Sequence, residues 1–310
     1  MKIAAIGECL IELTACSANM MAMNYAGDTY NTSYYLAKLN HHWHIAYVTA
    51  LGIDPYSEAM LNTWRQSGIS TDLCLRFDDK IPGLYLVNTD EVGERSFYYY
   101  RHQSAASQLL NHPYINRCLE ALLDYDYLYL SGISFAILTP SERLRLFEFV
   151  EMAKQKGVGI IYDNNYRPQL WVDQEDARNL AEKICPLTDC FFVTQADESL
   201  LFGDADAKAT CQRYQAWSPT LLVVKDGANP CLVSDKGHLT HQFPPVIDNV
   251  IDTTGAGDAF NAGFLSAYLP GESIQVALKQ AHHLAAKVIQ CRGAILPASQ
   301  FEKVAGLADC

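Results

Sequence analysis

Hydrophobic positions along the chain follow two patterns. Short, nearly unbroken apolar runs bounded by turn residues recur at 3–7, 45–51, 127–130, 158–162, 191–194 and 221–225, the pattern of strands buried on both faces. Between them lie longer segments with helical spacing: one that starts at the capping turn Gly27-Asp28-Thr29 and ends near Asn40, then 55–66, 142–155 and 274–290. Regular alternation of this kind predicts a mainly parallel sheet with helices on both faces, an α/β three-layer core. After residue 7 the period shortens to two through Leu13, so the first strand is expected to extend into a second, half-exposed layer. Residues 73–101 break the pattern. They read as short strands with turns at Pro82-Gly83 and near Glu91-Val92-Gly93, and Ser96-Phe97-Tyr98-Tyr99-Tyr100 is rich in strand formers. A further strand pair is expected within 230–243, and helix after Gly255. With no repeat or linker composition, the chain 1–310 reads as a single domain whose small β-sheet lid is formed by about 9–26 and 73–101.

Composition narrows the function classes. Lys+Arg 23 against Asp+Glu 35 leaves a net charge of −12 with no basic cluster, which disfavours a nucleic-acid partner. No apolar run is long enough to span a membrane, and Glu8 and Glu12 interrupt what a signal peptide would need. The ten cysteines form no CxxC pair and sit mostly in apolar stretches, so the expected setting is a reducing cytoplasm without structural zinc. His41, His42 and His44 lie without acidic or cysteine neighbours and read as solvated; His282 and His283 fit either helix packing or the border of a nucleotide site.

In a doubly wound sheet, ligands bind at the carboxyl ends of the strands. Four polar clusters fall there: Ser131-Gly132, Asp163-Asn164-Asn165-Tyr166-Arg167, Thr194 through Glu198, and Lys225-Asp226-Gly227. The segment Asp252-Thr253-Thr254-Gly255-Ala256-Gly257-Asp258 places a glycine-rich turn directly before a helix. The N–H groups of Gly255, Ala256 and Gly257 would converge where a helix start favours an anion. Asp258 beside them could take a proton from a hydroxyl that attacks phosphorus. An ordinary capped helix fits the same residues. Walker A, a complete GxGxxG and a protein-kinase catalytic loop are all absent from the sequence.

Residues 252–258, followed by Ala259-Phe260-Asn261-Ala262-Gly263, resemble the carboxyl-terminal signature of the ribokinase-like (PfkB) carbohydrate kinases. Gly27-Asp28 with Asn31 resembles that family's sugar-binding motif, although Ala26 stands where many relatives carry a first glycine. Gly83-Leu84-Tyr85, Tyr98 through Arg101, Tyr129 through Ile133, Asp163 through Pro168 with Leu170-Trp171, and Arg292-Gly293-Ala294 are similar to the branch that acts on 2-keto-3-deoxygluconate.

That resemblance implies a ribokinase-like fold and an ATP-dependent kinase that phosphorylates the 6-hydroxyl of 2-keto-3-deoxy-D-gluconate, with Asp258 as general base and the Gly255–Gly257 amides as anion hole. Fructokinase activity, or a non-catalytic sugar sensor, are the alternatives. For the sugar acid it implies Gly27, Asp28, Thr29, Asn31, Tyr85, Tyr99, Arg101, Ile133, Arg167, Asp258 and Ala294. Arg101 and Arg167 would be the carboxylate fork, since guanidinium offers two parallel donors. Tyr85 and Tyr99 would be an apolar wall. For ATP it implies Asn165, Tyr166, Arg167, Thr194, Lys225, Asp226, Gly227, Ala228 and Gly255 through Asp258. Magnesium is expected with ATP, influenced by Glu198 through water, although Gln195 occupies the first position of the family's Asn-x-x-Glu motif. Asp252 and Thr254, near the carbonyls of Arg292-Gly293, would form a monovalent-cation loop, for instance for K⁺. Exposed lid edges imply a homodimer formed through the small sheet.

Overall fold

In a computed structural model of the chain, described for residues 1–17, 19–89, 95–297 and 300–301, the elements run β1 (Lys2–Ile6), β2 (Leu10–Ser17), β3 (Met20–Ala26), α1 (Asp28–Leu39), β4 (His44–Gly52), α2 (Pro55–Gln66), β5 (Ile69–Ser70), β6 (Cys74–Phe77), β7 (Leu84–Thr89) and β8 (Arg95–Tyr100). They continue with α3 (Ile115–Leu122), β9 (Tyr127–Ser131), α4 (Gly132–Ala136), α5 (Pro140–Gln155), β10 (Gly159–Asp163), α6 (Gln174–Ile184), β11 (Cys190–Thr194), α7 (Gln195–Phe202), α8 (Ala207–Gln215), β12 (Leu221–Lys225), β13 (Cys231–Asp235), β14 (His238–Gln242), α9 (Ala256–Tyr268) and α10 (Ile274–Val288). The turn expected near residues 91–93 lies outside the described residues.

The large sheet runs β14-β13-β12-β11-β10-β9-β1-β4-β5, with β6 also on β4; all neighbours pair in parallel except β13 and β14. Successive strand residues face opposite layers, so Ile3 and Ala5 pack with α1, α2, α9 and α10, whereas Ala4 and Ile6 pack with α3 through α8. Burial on both faces is why these strands read as unbroken apolar runs. Register brings the strand ends to one level: Asp163 stands beside Ser131, and Thr194 beside Lys225.

Two expectations about the second layer are corrected. The first strand does not run on into it. The chain leaves the large sheet after Ile6, where Gly7 N–H donates to Val48 O at 3.2 Å, and a separate strand begins at Leu10. Cys74–Phe77 joins the large sheet on β4 and is no part of the small one, whose order is β3-β2-β7-β8. Leu10, Ala26, Tyr85, Val87 and Ala294 form an apolar cluster of their own, joining the base of the small sheet to the loop after α10.

Candidate active site

The turn before α9 depends on glycine. Gly255 sits at φ +75°, in the left-handed region, and a Cβ there would lie 2.8 Å from both Cα and Cβ of Ala294. Ala256 N–H folds back onto Thr253 O at 3.2 Å, so one of the three predicted anion donors is taken by the turn itself. Helices leave their first N–H groups without intrahelical partners, and here those of Gly257 and Asp258 belong to that set.

Asp258 stands in the first turn of α9. Its Oδ2 accepts a 2.7 Å bond from Asn31 Nδ2, and its carbonyl accepts one from Thr32 Oγ1 at 3.3 Å, which fixes α9 against α1. The residue is half-buried, and its pKa is pushed up to about 7. Desolvation is the main cause, followed by the Asp28 charge; Asp163 adds to it, while the Asn31 bond and Lys225 oppose it. A carboxyl poised there can both hold and release a proton at neutral pH.

Gly27 allows α1 to approach: a Cβ on it would fall 2.2 Å from Glu8 O. Asp28 Oδ2 accepts from Asn165 Nδ2 at 2.7 Å, and Asn165 itself is held at φ +34°. A left-handed conformation at a non-glycine residue is a strained one that surrounding structure must enforce, and such residues gather at functional sites. Thr29, expected to face the sugar, instead points into the core, where its Oγ1 bonds Tyr47 OH at 3.0 Å.

Further candidate residues lie on and just after the small sheet. Arg101 is buried, with Nε at 2.7 Å and Nη2 at 2.5 Å from Glu8 Oε2, and Ser104 Oγ donates to the other Glu8 oxygen. Its guanidinium lies 5.7 Å from the Tyr99 ring centre. Tyr99 is half exposed, and burial raises the pKa of its hydroxyl while the charges of Arg101 and Arg167 oppose the rise. Tyr85 lies against Tyr99 with ring centres 5.4 Å apart, and its hydroxyl donates to Glu12. Tyr85 is therefore a buried support for Tyr99, not a free hydroxyl. Arg167 is the exposed arginine, its side chain 44% accessible, with Nη1 at 2.7 Å from Tyr166 O and 3.0 Å from Asp197 Oδ2.

The nucleotide positions divide. Thr194 caps α7, and Asp226, Gly227 and Ala228 form the turn after β12, closed by Asn229 N–H to Asp226 O at 2.8 Å. Tyr166 is buried in the core on the α3–α8 side, so only its backbone reaches the rim. Lys225 is buried too: its Nζ donates to Asp163 Oδ2 at 2.8 Å and to Asn261 Oδ1 at 3.1 Å. Ile133 is half buried in α4, and Ala294 is buried beneath Gly255, its carbonyl bonded by Tyr35 OH at 2.7 Å. His282 is buried edge-on to Phe260, ring centres 5.2 Å apart, and burial lowers its pKa.

Glu198 is fully buried and engaged on both oxygens: Asn164 Nδ2 binds Oε1 at 2.7 Å, while Arg213 Nη2 at 2.7 Å and Tyr214 OH at 2.8 Å bind Oε2. Burial pushes its pKa up to about 6. Such a carboxylate does not fit a direct ligand of magnesium. Asp252 Oδ1 accepts from Thr254 N–H and Oγ1, and Oδ2 from Gly293 N–H at 2.7 Å, tying the turn before α9 to the loop after α10. Among the described residues no group of three His, Cys, Asp or Glu could hold a metal, and no helix is long and apolar enough to cross a membrane.

Sequence reasoning missed Glu8, Glu12, Thr32, Tyr129 and Asn261. Asn261 was the findable one, because it stands one helical turn beyond Asp258 and so shares its face.

Comparison with known proteins identifies the family. Residues 1–300 match the family model described as pfkB family carbohydrate kinase. The chain is 41% identical over 305 residues to the 2-dehydro-3-deoxygluconokinase of Dickeya dadantii, covering 96% of this chain and 97% of that one. It is 42% identical over 305 residues to the protein of the same name from Escherichia coli K12, with the same coverage. The fold matches that of aminoimidazole riboside kinase from Salmonella enterica, solved with aminoimidazole riboside and an ATP analogue, at a TM-score of 0.83 and 20% identity, covering 98% of this chain and all of that one. A family match over residues 1–300, with 41–42% identity along almost the whole length of curated relatives, leads to one conclusion: this chain belongs to the pfkB family of carbohydrate kinases.

Proposed function

We propose that the protein transfers the γ-phosphoryl group of ATP to the 6-hydroxyl of 2-keto-3-deoxy-D-gluconate. The observation that carries this reading is Asp258, held by Asn31 Nδ2 at 2.7 Å in the first turn of the glycine-started helix α9. Asp258 takes the hydroxyl proton as the sugar oxygen attacks phosphorus; the bond to the ADP oxygen breaks, and the first-turn N–H groups of α9 receive the charge. Asp28 and Asn31 hold sugar hydroxyls, and Arg167 meets the carboxylate under Tyr99. The 41% and 42% identical relatives carry the name of this activity.

Magnesium bound with the nucleotide would supply charge neutralisation for the transferred group, and Glu198, engaged on both oxygens within the protein, would act on it only through water. A monovalent cation such as K⁺ would sit in the loop that Asp252 braces.

The test is ADP release by purified protein with ATP and magnesium, in potassium or sodium, over a panel of sugars. We expect kcat/KM for the keto-deoxy acid to exceed that for fructose or ribose by roughly 10²-fold or more. Preference for fructose would make it a fructokinase, and sugar binding without ADP release a sensor.

Met20, Met21, Tyr98 and Tyr100 are exposed on β3 and β8, the edge strands of the small sheet. Such edges invite pairing, and the proposed assembly is a homodimer joined there. Light scattering is expected to give twice the chain mass; a monomer would overturn it.

A further inference from the structure

Beneath the turn before α9 lies a buried polar network. Asp163, at the end of β10, is 3% exposed, and its Oδ2 receives both Lys225 Nζ at 2.8 Å and Asn261 Nδ2 at 2.6 Å. Lys225 Nζ also binds Asn261 Oδ1, and Asn261 Nδ2 binds Tyr129 OH at 3.0 Å. Tyr129 OH in turn lies 3.2 Å from Thr32 Oγ1, within hydrogen-bond reach, and the Thr32 hydroxyl is also 3.3 Å from the Asp258 carbonyl, which can only accept. Three strands and two helices are joined this way. Lys225 lies immediately under the anion turn: a Cβ on Gly257 would be 3.5 Å from its Nζ.

A buried ion pair is poor value for stability alone, because desolvation of both partners offsets most of their attraction. Among the described residues this one also leaves Asp163 Oδ1 without a hydrogen-bond partner, a further cost. An arrangement that stabilises so little is better explained by what it positions. We propose that Asp163 is a positioning residue for phosphoryl transfer: with Asn261 it fixes the Lys225 ammonium beneath the anion turn and, through Tyr129 and Thr32, the helix start that carries Asp258. This rests on the kinase reading above and deepens it.

The groups that act on Asp258 are Asp28 from α1, Asp163 from β10 and Lys225 from β12; the hydroxyls of Tyr129 on β9 and Tyr35 on α1 stand nearby. Asp163 raises the Asp258 pKa and Lys225 lowers it. In Asp163→Asn the repulsion goes and the ammonium acts unopposed, and both changes favour ionised Asp258. The acid limb of kcat/KM, near pH 7 in the wild type, is expected to move down by about one pH unit. Lys225→Met is expected to lower plateau kcat at least ~10-fold while its limb does not move down.

Each profile is scaled to its own plateau, so a loss of folded protein cannot mimic the shift. An Asp163→Asn limb that stays in place or moves up would overturn the proposal. A wild type that phosphorylates no sugar would instead overturn the kinase reading.

Discussion

Asp258→Asn is expected to lower kcat by roughly 10²-fold or more while ATP affinity stays close to wild type. Asparagine keeps an oxygen that can accept the 2.7 Å bond from Asn31 Nδ2, so the helix start and its N–H groups should hold their positions. What disappears is the proton acceptor. The pH profile gives the second half of the prediction. A base works only when unprotonated, and the Asp258 pKa is pushed up to about 7, so wild-type kcat/KM should rise with pH through about 7 and then level off. The residual activity of the variant should lack that limb. Initial rates between pH 5.5 and 8.5, with nucleotide affinity measured separately, check both; near-normal turnover would remove Asp258 from its role.

Arg101 and Arg167 are expected to fail in different ways. Arg101→Ala leaves Glu8 buried with its charge unmatched, since the two side chains are 7% and 0% exposed. Breaking a buried pair from one side costs about 3–5 kcal/mol, and a drop in Tm of roughly 5–10 °C is expected. Glu8→Gln with Arg101→Met, which removes both charges, should recover much of that stability. Arg167→Ala should leave Tm nearly unchanged, because its partner Asp197 is reached from an exposed side chain and exposed pairs contribute little. Its loss should raise KM for the keto acid by roughly 10-fold or more, with little effect on a neutral sugar. Equal losses on both sugars would end the assignment of Arg167 to the carboxylate. Thermal melts and paired substrate kinetics on the same preparations separate the outcomes.

The core was legible because its central strands are covered on both sides. That burial writes an apolar run into the sequence, and the runs at 127–130, 191–194 and 221–225 fall on strands. The glycine-rich turn was legible for a related reason: φ +75° and a backbone 2.8 Å away demand glycine locally. The small sheet was read only in part. Its strands are short and half exposed, so residues 74–77 looked like their neighbours although they pair with β4. Side-chain direction was not legible at all. Thr29 and Lys225 sit in positions where chemistry suggested ligands, yet Tyr47 and Asp163 claim them from 18 and 62 residues away. Glu8 and Glu12 looked like interruptions of an apolar stretch, and became the partners of Arg101 and Tyr85. Local pattern therefore settles which segments form strands, helices and tight turns, because burial and backbone geometry act on neighbouring residues. Which polar groups meet is settled by the folded chain alone, because a buried charge takes whichever partner the packing brings within hydrogen-bond reach.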